Sequence, residues 1–334
     1  MLQFILSFFT ALAFTVALMP AVVALSKKLK ARQIVLHYVD NHAQKSGTPT
    51  MGGLGFIAAI VCATLICVQG PATLTVAALL VTAGYGVVGF LDDFIKVYFR
   101  RNKGLSPWQK IVFQGVIALA VSIFALYNEL IGGAVYVPFT LATVELGWFA
   151  VPFFMFLFIA FTNAVNLTDG LDGLASSVTF VYMIFNAGLI FVAVYLFGEG
   201  AAVTAEYRNL IVFSCAVAGA LLGFLCFNGY PAKIFMGDTG ALALGGAVGA
   251  LAVVSGMSLY SPMVGIMYVI TTLSVLLQVG YFKATKGKRI FLMAPLHHHF
   301  ERKGVHENRI VTVYTAVTAA VGSLCLLLTI AVSF

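Results

Sequence analysis

Asp92 and Asp93 stand side by side in this chain, with Lys96 one helical turn further on. Adjacent carboxylates repel each other, and a cation or metal ion relieves the repulsion. A helix end displaying charge to water would also account for the pair taken alone. Farther along, the string NAVNLTDGLDGLA (163–175) repeats Asn163, Asn166, Asp169 and Asp172 every third residue. That spacing predicts neighbouring faces of a helical turn, while Gly170 and Gly173 permit a turn or a close backbone approach. It fails the alternate-residue pattern of a calcium-binding loop. Amides and acids just inside a bilayer are expensive unless they are paired or bind something.

Two more clusters follow. In FNGYPAKIFMGDTG (227–240), Asp238 lies just before an apolar run. Helix N-termini attract phosphate through free N–H groups, and a carboxylate there can hold Mg²⁺ against that phosphate. A helix N-cap would explain Asp238 nearly as well. In APLHHHFERKG (294–304), His297, His298 and His299 are consecutive. Three successive histidines cannot all face one metal from a regular helix, and no carboxylate spacing supports zinc. Hydrogen bonding to an anionic substrate is the expected role, with a solvated loop as the plain alternative. Carboxylates for Mg²⁺, amides, histidines and many cations together make up the recurring kit of phosphoryl transfer.

The elements that must carry these residues are apolar helices. Uncharged runs fall at about 2–25, 52–69, 72–91, 111–127, 149–165, 174–197, 209–227, 241–259, 262–280 and 310–333. Most approach the roughly 20 residues that span a hydrocarbon core. The segments 26–51, 92–110, 166–173, 228–240 and 281–309 between them hold 18 of the 19 Lys/Arg, and Arg208 is the exception. Positive-inside bias makes that set cytoplasmic, with both termini outside. All six Asp and all six His fall in the same set, which brings the four clusters to one membrane face. The expectation is an all-α integral membrane protein: ten transmembrane helices in one polytopic domain over 1–334, with a cytoplasmic active-site cleft.

Composition agrees. With 61% of residues hydrophobic and 9% charged, the chain has too few charges to build a water-exposed surface, so lipid must cover most of it. The first run is too long for a secretory core and is followed, not preceded, by lysines, so a retained helix is expected. The five cysteines sit in or beside apolar runs without C-x-x-C spacing and read as small buried hydrophobes. Open sheets are implausible in lipid, although 128–148 has the pattern of a short β-hairpin outside the bilayer. No nucleic-acid partner is expected.

Six strings carry a resemblance over essentially the whole chain: KSGTPTMGG (45–53), GFLDDFIK (89–96), GLSPWQK (104–110), NAVNLTDGLDGLA, PAKIFMGDTGALALGG (231–246) and APLHHHFE (294–301). They resemble the polyprenyl-phosphate N-acetylhexosamine-1-phosphate transferase superfamily, and within it the phospho-N-acetylmuramoyl-pentapeptide transferase family. The histidine triplet after Pro-Leu separates this branch from relatives that use UDP-N-acetylglucosamine. The resemblance implies Mg²⁺-dependent transfer of phospho-MurNAc-pentapeptide from its UDP carrier to undecaprenyl phosphate, with release of UMP. It implies a first lipid-linked step of peptidoglycan synthesis, serving cell-wall biogenesis, cell shape and division. It further implies the bacterial inner membrane and a homodimer. By motif position, Asp238 would be the metal ligand and Asp92 and Asp93 catalytic acids, with His297 completing the catalytic set. Lys45, Thr50 and Lys96 would contact phosphates. Asn163, Asn166, Asp169, Gly170, Leu171, Asp172, Asn228 and Gln278 would line the substrate site, Phe235 would stack on uracil, and His298 and His299 would join them.

A phosphate monoester has a second pKa near 6, so a lipid phosphate is largely ionised at neutral pH and needs no strong base. Close approach of two anions is then the harder problem, and Mg²⁺ and lysines answer it. Direct attack on the β-phosphate is favoured over an aspartyl phospho-sugar intermediate. A transporter would place ionisable residues near the bilayer midplane, whereas here they stop at one side. A lipid receptor would not need crowded carboxylates.

Overall fold

The computed structural model describes residues 1–29, 47–99, 104–140, 142–197 and 200–333. Twelve α-helices appear in them: α1 Leu2–Lys28, α2 Gly53–Cys67, α3 Thr73–Tyr98, α4 Pro107–Tyr127, α5 Ala150–Thr168, α6 Leu174–Phe197, α7 Ala201–Asn228, α8 Gly237–Val254, α9 Ser261–Val264, α10 Ile266–Ala284, α11 Leu296–Arg302 and α12 Glu307–Ser333. Among the described residues, nine are long and apolar enough to cross a membrane. The chain is an all-α, multi-pass membrane protein.

The run at 52–69 is the one that folds short. Met51, with φ 72°, breaks the chain ahead of α2, and Val68 turns extended before Gly70. The resulting 15-residue helix falls below the roughly 17–25 residues of a full crossing. The hairpin does form: β1 (Ala134–Tyr136) pairs antiparallel with β2 (Thr143–Glu145), Val135 opposite Val144. Tyr136 donates its N–H to the Gly256 carbonyl, which ties the hairpin to the end of α8.

At the centre of the bundle, every residue of α8 from Thr239 to Val254 is buried. α3 and α5 pack on α8, while α1 and α6 pack on α7. Where α3 passes the start of α8, Gly89 lies against the Asp238 carbonyl so closely that a Cβ would overlap it. The two helices can meet here only because position 89 has no side chain.

One expectation and one plain alternative about local structure are corrected. The three-residue repeat at 163–172 is not one helix: α5 stops at Thr168, Asp169 leaves the helical range (ψ 50°), and Gly173 takes φ +74° before α6 begins. The glycines that permit a turn win over the polar periodicity. The histidine segment is not a solvated loop either, because His297–His299 lie in α11.

Candidate active site

The close passage of α3 and α8 sets the first layer of geometry. Asp93 Oδ1 accepts the Asp238 N–H at 3.3 Å, and its Oδ2 accepts the Thr239 N–H at 2.9 Å and the Thr239 hydroxyl at 2.7 Å. A carboxylate on the free amides of a helix N-terminus satisfies orphan donors and meets the positive end of the dipole. Asp93, and not Asp238, is therefore the side chain that caps α8. This corrects the N-cap alternative for Asp238, whose own carboxylate is left to face the other elements.

Those elements converge on it. Lys110, in the first turn of α4, places its ammonium 2.6 Å from Asp238 Oδ2 and 3.1 Å from Asp92 Oδ1. Lys96 pairs with Asp92 and lies 3.0 Å from Asp238 Oδ2 and 3.8 Å from Asp93 Oδ1. Asn166, at the last full turn of α5, donates to Asp238 Oδ1 at 2.9 Å. The Leu105 N–H donates to Asp92 Oδ1 at 2.7 Å, and Gly104 before it presses on the same carboxylate. Asp92 is fully buried and Asp93 nearly so. Buried carboxylates of this kind persist only when cations and donors compensate them.

Asp92, Asp93 and Asp238 each offer an oxygen within 4.8 Å of the others. Hard oxygen donors of this kind suit Mg²⁺, which is commonly held by one or two carboxylates together with substrate phosphates. The donor set therefore fits the expected ion: the Asp93 oxygens are held by the backbone and hydroxyl of α8, whereas those of Asp92 and Asp238 are engaged mostly by the Lys96 and Lys110 side chains. Two ammonium groups against three carboxylates also leave room for one further cationic partner.

Around this cluster stand the remaining predicted residues. The 49–53 segment pairs with the start of α8 through Phe235 N–H to Pro49 O and Gly52 N–H to Phe235 O, both 2.9 Å. Thr50 is buried beside Gly237, and Phe235 stays partly open. Asp172 Oδ2 accepts the Ala232 N–H at 2.9 Å. Asn228 uses both ends of its amide inside the protein, accepting from Ser176 Oγ and donating to the Ile234 carbonyl. Gln278 Oε1 accepts from the N–H groups of Ile290 and Phe291. These three side chains hold the loops that form the walls. Leu171 is buried beneath the turn. Lys45 lies outside the described residues.

The histidines diverge. His297 is buried, with its Nε2 hard against Gly170. His298 Nδ1 pairs with Glu301 at 2.9 Å, and His299 Nδ1 accepts the Leu292 N–H at 3.1 Å. His297 alone is thus aimed at the 169–173 turn. In that turn Asp169 keeps an open edge, but the atoms packed around it strip most of its water. Burial first, then Asp238, Asp93 and Asp172, push its carboxyl up to about 8.

Lys110 is the member of the carboxylate cluster that residue types alone did not single out. Its signal was present in the string GLSPWQK. Ser106 and Gln109 form a reciprocal capping box with Pro107 at the first helical position. That pattern starts a helix and puts Lys110 in its first turn, on the site.

The glycosyl transferase family 4 model matches residues 74–256. The chain is 44% identical over 318 residues to a Phospho-N-acetylmuramoyl-pentapeptide-transferase of Clostridium novyi, covering 94% of this chain and 93% of that one. It is 45% identical over 314 residues to one of the same name from Clostridium kluyveri, covering 92% and 94%. A third relative of that name, from Thermoanaerobacter, is 44% identical over 315 residues, covering 92% and 94%.

Proposed function

Because the chain belongs to the phospho-N-acetylmuramoyl-pentapeptide-transferase family and is a phosphotransferase enzyme, we propose that it moves phospho-MurNAc-pentapeptide from UDP-MurNAc-pentapeptide to undecaprenyl phosphate. UMP and undecaprenyl-diphospho-MurNAc-pentapeptide are the products. The observation that carries this reading is the cluster of Asp92, Asp93 and Asp238 under Lys96 and Lys110. It joins carboxylates for a divalent ion to cations for a phosphate.

Mg²⁺ would be held by Asp238 and Asp92, and it supplies charge neutralisation for a diphosphate. The protein's part is to orient and to shield. Lys96 and Lys110, anchored on Asp92 and Asp238, lower the repulsion between the two phosphates. An oxygen of the ionised lipid phosphate attacks the β-phosphorus, and the bond from that phosphorus to the UMP oxygen breaks. Asp92, engaged by two ammonium groups and an amide N–H, serves better as an anchor for the lysines than as a base. This favours direct attack.

The reading extends to placement. Ten crossings, both termini outside and a cytoplasmic cleft are read from the ten uncharged runs and the 18-to-1 partition of basic residues between them, and a bacterial inner membrane is what the family resemblance implies. α2 would be the tenth crossing, completed by its flanking turns. The 334 residues then act as one transferase domain, and a homodimer is expected from the family resemblance.

The test is UMP release by purified protein with Mg²⁺ and undecaprenyl phosphate. Efficient turnover with UDP-MurNAc-pentapeptide and little with UDP-GlcNAc is expected. Equal rates with the two donors would overturn the substrate assignment. A phospho-sugar on an aspartate, formed without lipid and competent to react on, would overturn direct attack.

A further inference from the structure

One helical turn deeper than the carboxylates, α4 and α5 meet in a second polar contact. Lys110 and Gln114 are four residues apart on α4, and Asn166 and Asn163 are three apart on α5. The upper pair reaches Asp238. The lower pair meets directly: Asn163 Nδ2 donates to Gln114 Oε1 at 2.9 Å. The step between the two levels is about 5.4 Å, the pitch of a helix.

The orientation of both amides follows from one backbone atom. Asn163 Nδ2 also lies 2.8 Å from the Ile159 carbonyl, which can only accept, so that end of Asn163 must be its NH₂ group. The Gln114 atom facing the same NH₂ must then be its carbonyl oxygen. Both hydrogens of Asn163 are thereby used, and its own oxygen is the group left over on a half-buried side chain. Gln114 is fully buried, braced by Tyr85 O–H donating to its backbone carbonyl at 3.0 Å, and its Nε2 has no protein partner. An amide with an unsatisfied donor is costly inside a bilayer. Simple packing between α4 and α5 would be served better by a leucine or methionine.

We propose that Gln114 is a positioning residue: together with the Ile159 carbonyl it locks the Asn163 amide, so that an acceptor oxygen, and not an NH₂ group, is presented beneath the Asp92–Asp238 cluster. Amide oxygens are ordinary partners of hydrated divalent ions. The locked oxygen would receive hydrogen bonds from the water shell of the ion held above it. This inference rests on the cation reading given under Proposed function.

The experiment uses the purified full-length chain and Mn²⁺ as the probe, read by electron paramagnetic resonance without substrates, alongside UMP-release kinetics. Gln114→Met keeps the volume and removes the acceptor; Gln114→Glu keeps the acceptor. Orienting partners of this kind are typically worth about 10–100-fold in metal affinity or activity. Gln114→Met is therefore expected to weaken Mn²⁺ binding and lower kcat by about tenfold, with KM for the UDP-sugar little changed. Gln114→Glu should recover most of both. Asn163→Ala should match Gln114→Met, and the double variant should be no worse than either single one. Wild-type Mn²⁺ affinity in Gln114→Met, or losses that add in full in the double variant, would overturn the proposal. Asp238→Asn is the separate control: unchanged Mn²⁺ binding there removes the cation reading itself, and the kinetic cycle still decides whether Gln114 acts through Asn163.

Discussion

Two carboxylates in this bundle cap a helix that is not their own. Asp93 of α3 receives the first amides of α8. Glu206 of α7 receives those of α3, accepting the N–H groups of Thr73 at 2.8 Å and Leu74 at 3.0 Å. Both acids are buried, and both meet the positive end of a helix dipole. The surroundings differ. Glu206 has Asn209 nearby, whose amide NH₂ donates to the Gln69 and Pro71 carbonyls, and every contact there is consumed in fixing the turn before α3. Asp93 has two more carboxylates and Lys96 beside it, and Lys110 sits on those two carboxylates. The same capping physics thus makes a joint at one end of α3 and supports a crowded charge cluster at the other. What distinguishes function is the surplus of charge beyond what capping requires.

Removing the surplus should give the largest effect. Asp238→Asn keeps the shape and loses the charge, and a rate loss of at least about a hundredfold is expected, as for loss of one preorganised electrostatic group. The melting temperature should change little; turnover close to normal with unchanged Mg²⁺ dependence would erase the contrast. Lys110→Met comes next. It removes one of the cations that Asp238 and Asp92 share, so kcat should fall by roughly tenfold or more. Restoration by Lys110→Arg would be partial, because a planar guanidinium does not replace a point charge.

At the other end the readout switches from rate to stability. Glu206→Ala leaves two buried amides unsatisfied and should cost about 1–3 kcal/mol, seen as earlier thermal unfolding in detergent. The folded fraction should keep its kcat within about twofold, since nothing at that end touches the carboxylate cluster. A large loss of kcat at constant stability would join the two ends of α3 functionally and end the comparison.

The smallest effect is a pH dependence at Asp169. Its carboxyl titrates near 3.8 in the ordinary state and is pushed up to about 8 here, by burial and then by Asp238, Asp93 and Asp172. The native state therefore holds a proton that the unfolded chain releases. The stabilisation this gives is complete below pH 3.8 and is lost as pH rises through about 8. In cation-free buffer, Asp169→Asn should flatten that decline in melting temperature. An unchanged slope would show that Asp169 is already ionised.

How much of this was legible beforehand depended on whether a signal was local. At most ends the apolar runs gave the helices to within about five residues, because lipid demands length and apolarity together, although α7 begins well ahead of its run, at Ala201. They did not show that α3 continues as helix through Asp92, Asp93 and Lys96, since charge patterning marks where apolarity stops and not where the backbone uncoils. The repeat from Asn163 to Asp172 predicted neighbouring faces of one helical turn. The structure breaks it at Asp169 and sends Asn166 to Asp238 and Asp172 to Ala232. Residue type identified the histidine triplet, but only the fold shows that His297 alone turns to Gly170. The Gln114–Asn163 contact joins residues 49 positions apart, a pairing that no local pattern could carry.

The burial of α8 has a consequence for how the molecule is made. From Thr239 to Val254 it meets protein on every side, and the Gly89 contact with α3 bridges a separation of about 150 residues. A chain emerging from the ribosome has Asp92 and Asp93 in place long before Asp238 exists. α8 can leave the insertion machinery only into a seat already lined by α3 and α5. Four of the five charges of the cluster are thus made before Asp238, and a chain halted ahead of α8 would lack the carboxylate that Lys96 and Lys110 share.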